Sequence, residues 1–220
     1  DAMMRNTAAR HDCTVALLGD SRVGKTCLAT RLRTGKFESL HGRAAAETFH
    51  TNTLVEGRRV RLTVHDSPAG PANREARSLA CREADVVLLC YRVSSPSSLF
   101  SAINHWVPEV RLHAPATPLL LVGLAADQRA DRAVLASLSR QGHGFVSLDQ
   151  ARGFASQVGA VGCVETSSRS SPGHDGHRGR KRSRRWPGLI VRLLLLLLLG
   201  HLLLWRRKVV LRRKVGVMLK

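Results

Sequence analysis

The eight residues 19–26, GDSRVGKT, restrict the fold of this chain more than any other feature. They satisfy G-x-x-x-x-G-K-[ST] and lie between an apolar run, CTVALLG, and a stretch with helical spacing, KTCLATRLRTGKF. A turn of this kind wraps phosphates: small residues let backbone N–H groups come close, and the helix start adds partial positive charge. Lys25 is expected to bridge the β- and γ-phosphates, and the Thr26 hydroxyl to bind Mg2+. Gly19, Asp20, Val23, Gly24 and Cys27 complete the expected nucleotide-binding set. The Cys27 thiol itself reads as a packed helix residue rather than a nucleophile.

Residues 13–168 alternate apolar strands with amphipathic helical stretches. ETFHTNTLVEG and RRVRLTVHD read as a hairpin about Glu56-Gly57. ADVVLLCY and TPLLLVGL are continuous apolar runs, the pattern of central strands covered on both faces. SSPSSLFSAINHWVPEVRLH opens with a Ser-Ser-Pro helix start, LDQARGFASQVG is a helix capped by Asp149, and VGCVETS is a last strand. The pattern predicts an α/β fold, a P-loop NTPase with a doubly wound, six-stranded, mostly parallel sheet and one antiparallel edge strand.

The five cysteines (Cys13, Cys27, Cys81, Cys90, Cys163) are odd in number and form no C-x-x-C pair, so reduced thiols are expected rather than a disulfide frame. The N-terminal residues contain no apolar run of the secretory kind, and a first residue of Asp fits a fragment. The ten histidines show no ligand spacing, so no metal beyond Mg2+ is expected. The net charge of +19 is uneven: residues 171–220 carry 14 Lys and Arg against one acid, Asp175. The basic character therefore belongs to the tail, whose partner is expected to be anionic.

With the phosphate loop in place, NHWVPEVRLHAPATPLLLVG and QVGAVGCVETSSRSS resemble the Rho family of small GTPases, closest to its GTPase-deficient Rnd branch. The resemblance implies that Phe37 packs over guanine and that Asp66 holds Mg2+ through water. Asp127 would read the base, with Ser167 and Ser168 closing the last loop around it. It also implies effectors and regulators acting on the actin cytoskeleton as partners.

Several family positions are altered. VHDSPAGPAN begins like D-x-x-G, but Ala69 stands where the family has glycine and Gly70 where it has the water-orienting glutamine. Ser21 occupies a usual glycine, and the switch threonine falls on Ala44, with Thr48 out of register. The base motif reads Leu124-Ala125-Ala126-Asp127 and lacks the family's lysine. No catalytic residue is therefore assigned. The expectation is binding of GTP or GDP with Mg2+ and little or no hydrolysis. A slow GTPase that depends on a GAP and a nucleotide-free scaffold stand as alternatives. Arg77 and Leu79 read as partner surface, and His65 as a strand-end residue without assigned chemistry.

The expected layout is an extension over 1–12, the Rho-like domain over 13–170, a basic disordered linker over 171–188 and a leucine-rich, basic tail over 189–220. No cysteine follows Cys163, which excludes a prenylation box at the end of this sequence. Three readings of the tail stay open: attachment to an anionic membrane, a nuclear-import or nucleic-acid patch, and out-of-frame coding sequence. Nucleic acid ranks last, because no aromatic residues are interleaved for base stacking. The expected location is cytoplasmic, with membrane association through the tail if it is genuine.

Overall fold

A computed structural model describes residues 11–37, 47–55 and 58–169. The first ten residues, Ala44, the Glu56-Gly57 turn, the linker and the leucine-rich tail lie outside the described residues.

Six strands form one sheet in the order β2-β3-β1-β4-β5-β6: β1 (His11–Leu18), β2 (Glu47–Val55), β3 (Arg58–Asp66), β4 (Val86–Arg92), β5 (Leu119–Leu124) and β6 (Gly162–Glu165). Only β2 runs antiparallel, at the edge, with Thr53 opposite Val60 and Glu47 opposite Asp66. The other neighbours are parallel: Val15 pairs with Val64, Leu17 with Leu88, and Val122 with both Cys90 and Val164. The expected doubly wound sheet with one antiparallel edge is what forms.

Alternation along β1 divides the core. Val15 and Leu17 face α1 (Lys25–Thr34) and pack with its Leu28 and Leu32, joined by Leu62, Leu88 and Val122. Ala16 and Leu18 face the opposite layer, where Leu89, Tyr91 and Leu121 meet Cys81, Leu99, Trp106, Val110 and Ala151. Those partners come from α2 (Arg74–Glu83), α3 (Pro96–Ser101), a π-helical turn (Ala102–Trp106), α4 (Val107–His113) and α6 (Leu148–Gln157). With both faces covered, every residue of β5 is buried, as its unbroken apolar sequence requires.

The Ser-Ser-Pro start forms as expected: the Ser98 backbone N–H donates to the Ser95 side chain, and Pro96 occupies the first turn. The long helix that follows is not regular. Val107 donates to Ala102, five residues back, instead of four. Pro108 explains the widening, because it has no N–H for the Asn104 carbonyl and its ring crowds that oxygen. A short helix, α5 (Arg132–Arg140), is capped by Asp131, whose carboxylate accepts from the Ala133 and Val134 N–H groups. One boundary differs from expectation. The cap of α6 is Ser147, in a reciprocal box with Gln150, and Asp149 lies within the first turn. Ser147 wins because its hydroxyl reaches the Gln150 N–H while the Gln150 side chain satisfies the Ser147 N–H.

Candidate functional site

The site lies beyond the carboxyl ends of β1, β3, β4 and β5, where parallel strands of a doubly wound sheet leave a crevice. Leu17 pairs with Asp66 at the ends of β1 and β3, which brings the loop after β1 beside the last residue of β3.

The turn from β1 into α1 passes so close to β4 that it requires glycine. Gly19 has φ 141°, and a Cβ there would stand 2.2 Å from the Cys90 carbonyl oxygen. Gly24 precedes α1 with φ 115°, and no side chain caps the helix start. Val23 anchors the loop in the core. Lys25 is only 6% exposed, and its Nζ donates to the Gly19 carbonyl at 2.7 Å and the Asp20 carbonyl at 2.8 Å. Two of its three donors thus fix the loop, leaving the ammonium at its centre. Burial pushes its pKa down, against which the neighbouring Asp66 and Asp20 act to hold the charge.

Asp20 joins the loop through its backbone alone. Its carboxylate turns away and accepts from Ser101 Oγ at 2.7 Å and Trp106 Nε1 at 2.8 Å. Ser21 is exposed on the loop, while Cys27 is half-buried on α1.

Thr26 and Asp66, the expected metal pair, lie beside one another, near enough for Thr26 to favour the ionised Asp66 carboxylate. Asp66 is buried, which raises its pKa above the ordinary 3.8, while Thr26 and Lys25 act in the opposite direction. No cluster of three or more His, Cys, Asp or Glu suited to a metal occurs among the described residues. Thr26 and Asp66 together offer the one or two protein oxygens that Mg2+ takes, its remaining positions being filled by phosphate oxygens and water. Thr48 is committed elsewhere, in β2, where its hydroxyl lies 2.9 Å from His65 Nδ1. His65 thus ties β3 to β2, and its Nε2 stands 3.5 Å from Glu83 on α2 while burial pushes its pKa down.

The segment after Asp66 is held down rather than open. Ala69 packs partly buried against the core and is not among the described non-glycine residues with positive φ, so its methyl causes no backbone strain. Gly70 has φ −63° and ψ 152°, a conformation that any residue adopts. Its carbonyl accepts from Arg77 Nη1 at 2.6 Å, and the Pro68 carbonyl accepts from the same nitrogen at 3.1 Å. Arg77 also forks onto Glu109 at 2.7 and 3.3 Å and lies 5.2 Å from the centre of the Trp106 ring. It is 3% exposed, so the expectation of Arg77 as partner surface is wrong. Leu79, on the other side of α2, is 56% exposed.

At the far end, Ser167 Oγ donates to Asp127 Oδ1 at 2.5 Å and accepts from the Arg169 N–H at 3.0 Å. Arg169 places its guanidinium 5.5 Å from the Phe37 ring centre. Phe37, Asp127 and Ser167 thus come together through a residue that sequence reasoning passed over. Half-buried Ser168 lies between Ser167 and Arg169. The two loops that carry these residues are joined by Ala126 N–H to Thr166 O at 3.0 Å. A bidentate pair, Arg129 to Glu165 at 2.6 and 2.9 Å, braces them from behind.

The sequence pattern of the Ras family matches residues 14–175. GTP-binding protein RHO1 of Eremothecium gossypii is 34% identical over 170 residues, covering 77% of this chain and 81% of that protein. Rho-related GTP-binding protein RhoV of Rattus norvegicus is 37% identical over 153 residues, which are 69% of this chain and 65% of the relative. Rho-related GTP-binding protein RhoE of Homo sapiens, a Rnd-type relative, is 31% identical over 159 residues, 72% of this chain and 65% of its own length.

Proposed function

The chain belongs to the Ras family, as a small GTPase of the Rho group close to the Rnd branch, and from that premise we propose that it binds guanine nucleotide with Mg2+ and turns it over slowly or not at all. The observation that carries the reading is the assembly of buried Lys25 with the Thr26–Asp66 pair at the start of α1. A buried ammonium with one donor to spare, set at the positive end of a helix, suits a polyphosphate. Thr26 and Asp66 would hold Mg2+, which neutralises charge on the phosphates when bound. Asp127, held by Ser167, would accept N–H bonds from guanine, which adenine does not offer in the same arrangement.

Weak turnover follows from what side chains are present. Gly70 offers no side-chain group to orient a water, and its carbonyl is occupied by Arg77. The Ser21 side chain projects from the loop where the resemblance places glycine. Signalling would then proceed by binding Rho-type effectors and regulators, with actin-cytoskeleton pathways the natural setting for a Rho-group protein. The charge of residues 171–220 suits attachment to anionic membrane. Among the described residues no helix is long and apolar enough to cross a membrane.

The nucleotide carried by the full chain tests the reading. The protein would be purified without added nucleotide, heat-denatured, and the supernatant resolved by anion exchange. Near-stoichiometric GTP is the expected result. Mostly GDP would show an active GTPase, and a folded protein without nucleotide would leave only a scaffold.

A further inference from the structure

We propose that Arg92 is a positioning residue for the nucleotide, a brace between the loop that holds phosphate and the loop that reads the base. The inference rests on the guanine-nucleotide reading above and concerns a residue that no motif singles out. Arg92 ends β4, and its backbone N–H donates to Ser98 Oγ at 3.0 Å, which fixes the base of the side chain. From there the guanidinium divides. Nη1 donates to the Arg22 carbonyl in the phosphate loop at 2.9 Å, and Nε donates to Gln128 Oε1 at 3.1 Å. Ser94 Oγ donates to the same Gln128 oxygen at 2.7 Å, so the amide is held from two directions.

Both targets are places where support matters. Arg22 has φ 63°, in the left-handed region, and backbone there persists only when its surroundings hold it. Gln128 adjoins Asp127, so the amide's position sets the turn that aims the base-reading carboxylate. The residues before Asp127 provide no equivalent reach, because Ala125 and Ala126 end at Cβ. Ala125 is itself at φ 58°, so each of the two loops that Arg92 joins carries a left-handed non-glycine residue. A planar guanidinium can serve two acceptors in fixed directions at once, which a single ammonium cannot do with the same geometry.

Arg92 contacts the cradle at Arg22 and Gln128, away from the Lys25–Thr26–Asp66 group, so its effect should not depend on the γ-phosphate. The test is release of fluorescent GDP and fluorescent GTP from the full chain with Mg2+, in wild type, Arg92→Lys, Arg92→Ala, Gln128→Ala and the double variant Arg92→Ala/Gln128→Ala. Arg92→Ala is expected to speed release about tenfold, by the same factor for both nucleotides, with Arg92→Lys between it and wild type. Adding Gln128→Ala should accelerate it by less than the product of the single effects. Release at the wild-type rate in Arg92→Ala, or fully multiplicative effects, overturns the proposal. So does acceleration fully explained by a lower melting temperature of the nucleotide-free variant. A folded wild-type chain that takes up neither nucleotide overturns the underlying reading instead, and does so before any variant is compared. If Arg92→Ala does not fold, Arg92→Lys and Gln128→Ala carry the same comparison.

Discussion

Gly19 and Gly123 are glycines for the same reason, the approach of other chain atoms, yet only one belongs to the site. A Cβ at Gly19 would collide with the Cys90 backbone, and one at Gly123 with the Tyr91 hydroxyl at 2.7 Å. Backbone cannot yield as a side chain can, so Gly19→Ala should cost about 3 kcal/mol or more, read as a shift in urea midpoint. The motif letter at Gly19 was legible in sequence, but the Cys90 carbonyl that enforces it lies on another strand. Three thiols allow a pH test. Burial pushes Cys13 and Cys90 up to about 12 and Cys81 to about 11, from an ordinary 9.0. The unfolded chain therefore releases these protons first, and stability is full below pH 9 and declines as pH rises beyond it. Urea midpoints measured across that range should show the decline, and Cys13→Ala should lessen its slope above pH 9.

At the scale of elements, the π-helical turn and α2 form one brace. Trp106 holds Asp20 of the phosphate loop with its indole N–H and presents its ring to Arg77, which in turn holds Pro68 and Gly70. The widened turn before Pro108 thus places a residue that touches the loop before α1 directly and reaches the segment after β3 through Arg77. Arg77 and Glu109 side chains are 4% and 9% exposed, so removing one strands the other as a buried charge. Arg77→Met is expected to cost about 3–5 kcal/mol in chemical denaturation, and Arg77→Met/Glu109→Leu should recover a large part of it. None of this was legible in the sequence. An arginine three residues into a helix reads as surface, and its carboxylate partner lies 32 residues further along the chain. Asp20 presents the same difficulty, with side-chain partners 81 and 86 residues away.

For the molecule as a whole, binding and folding are linked, because the cradle exists only when β1, β3 and β5 are assembled. Mg2+ with GTP at about 100 times its dissociation constant should stabilise the native state by about 2.7 kcal/mol, seen as a rise in melting temperature. Lys25→Ala should abolish that rise. Lys25→Ala also strips the Gly19 and Asp20 carbonyls of their donor, so the nucleotide-free variant should melt below nucleotide-free wild type, and the rise on adding nucleotide is the quantity to compare.

The order and type of the strands and helices, the mostly parallel sheet and the phosphate loop were all determined by the sequence itself. Each rests on periodicity or on neighbours within a few residues, where local geometry decides. Tertiary structure alone decided that Arg77 is buried, that Asp20 faces a tryptophan, that Arg169 reaches Phe37 and that Arg92 spans two loops. Those side chains are long and polar, and such groups settle wherever the packing of helices on the sheet leaves an acceptor or a ring within reach. That placement depends on the relative positions of elements far apart in the chain, which no local pattern encodes.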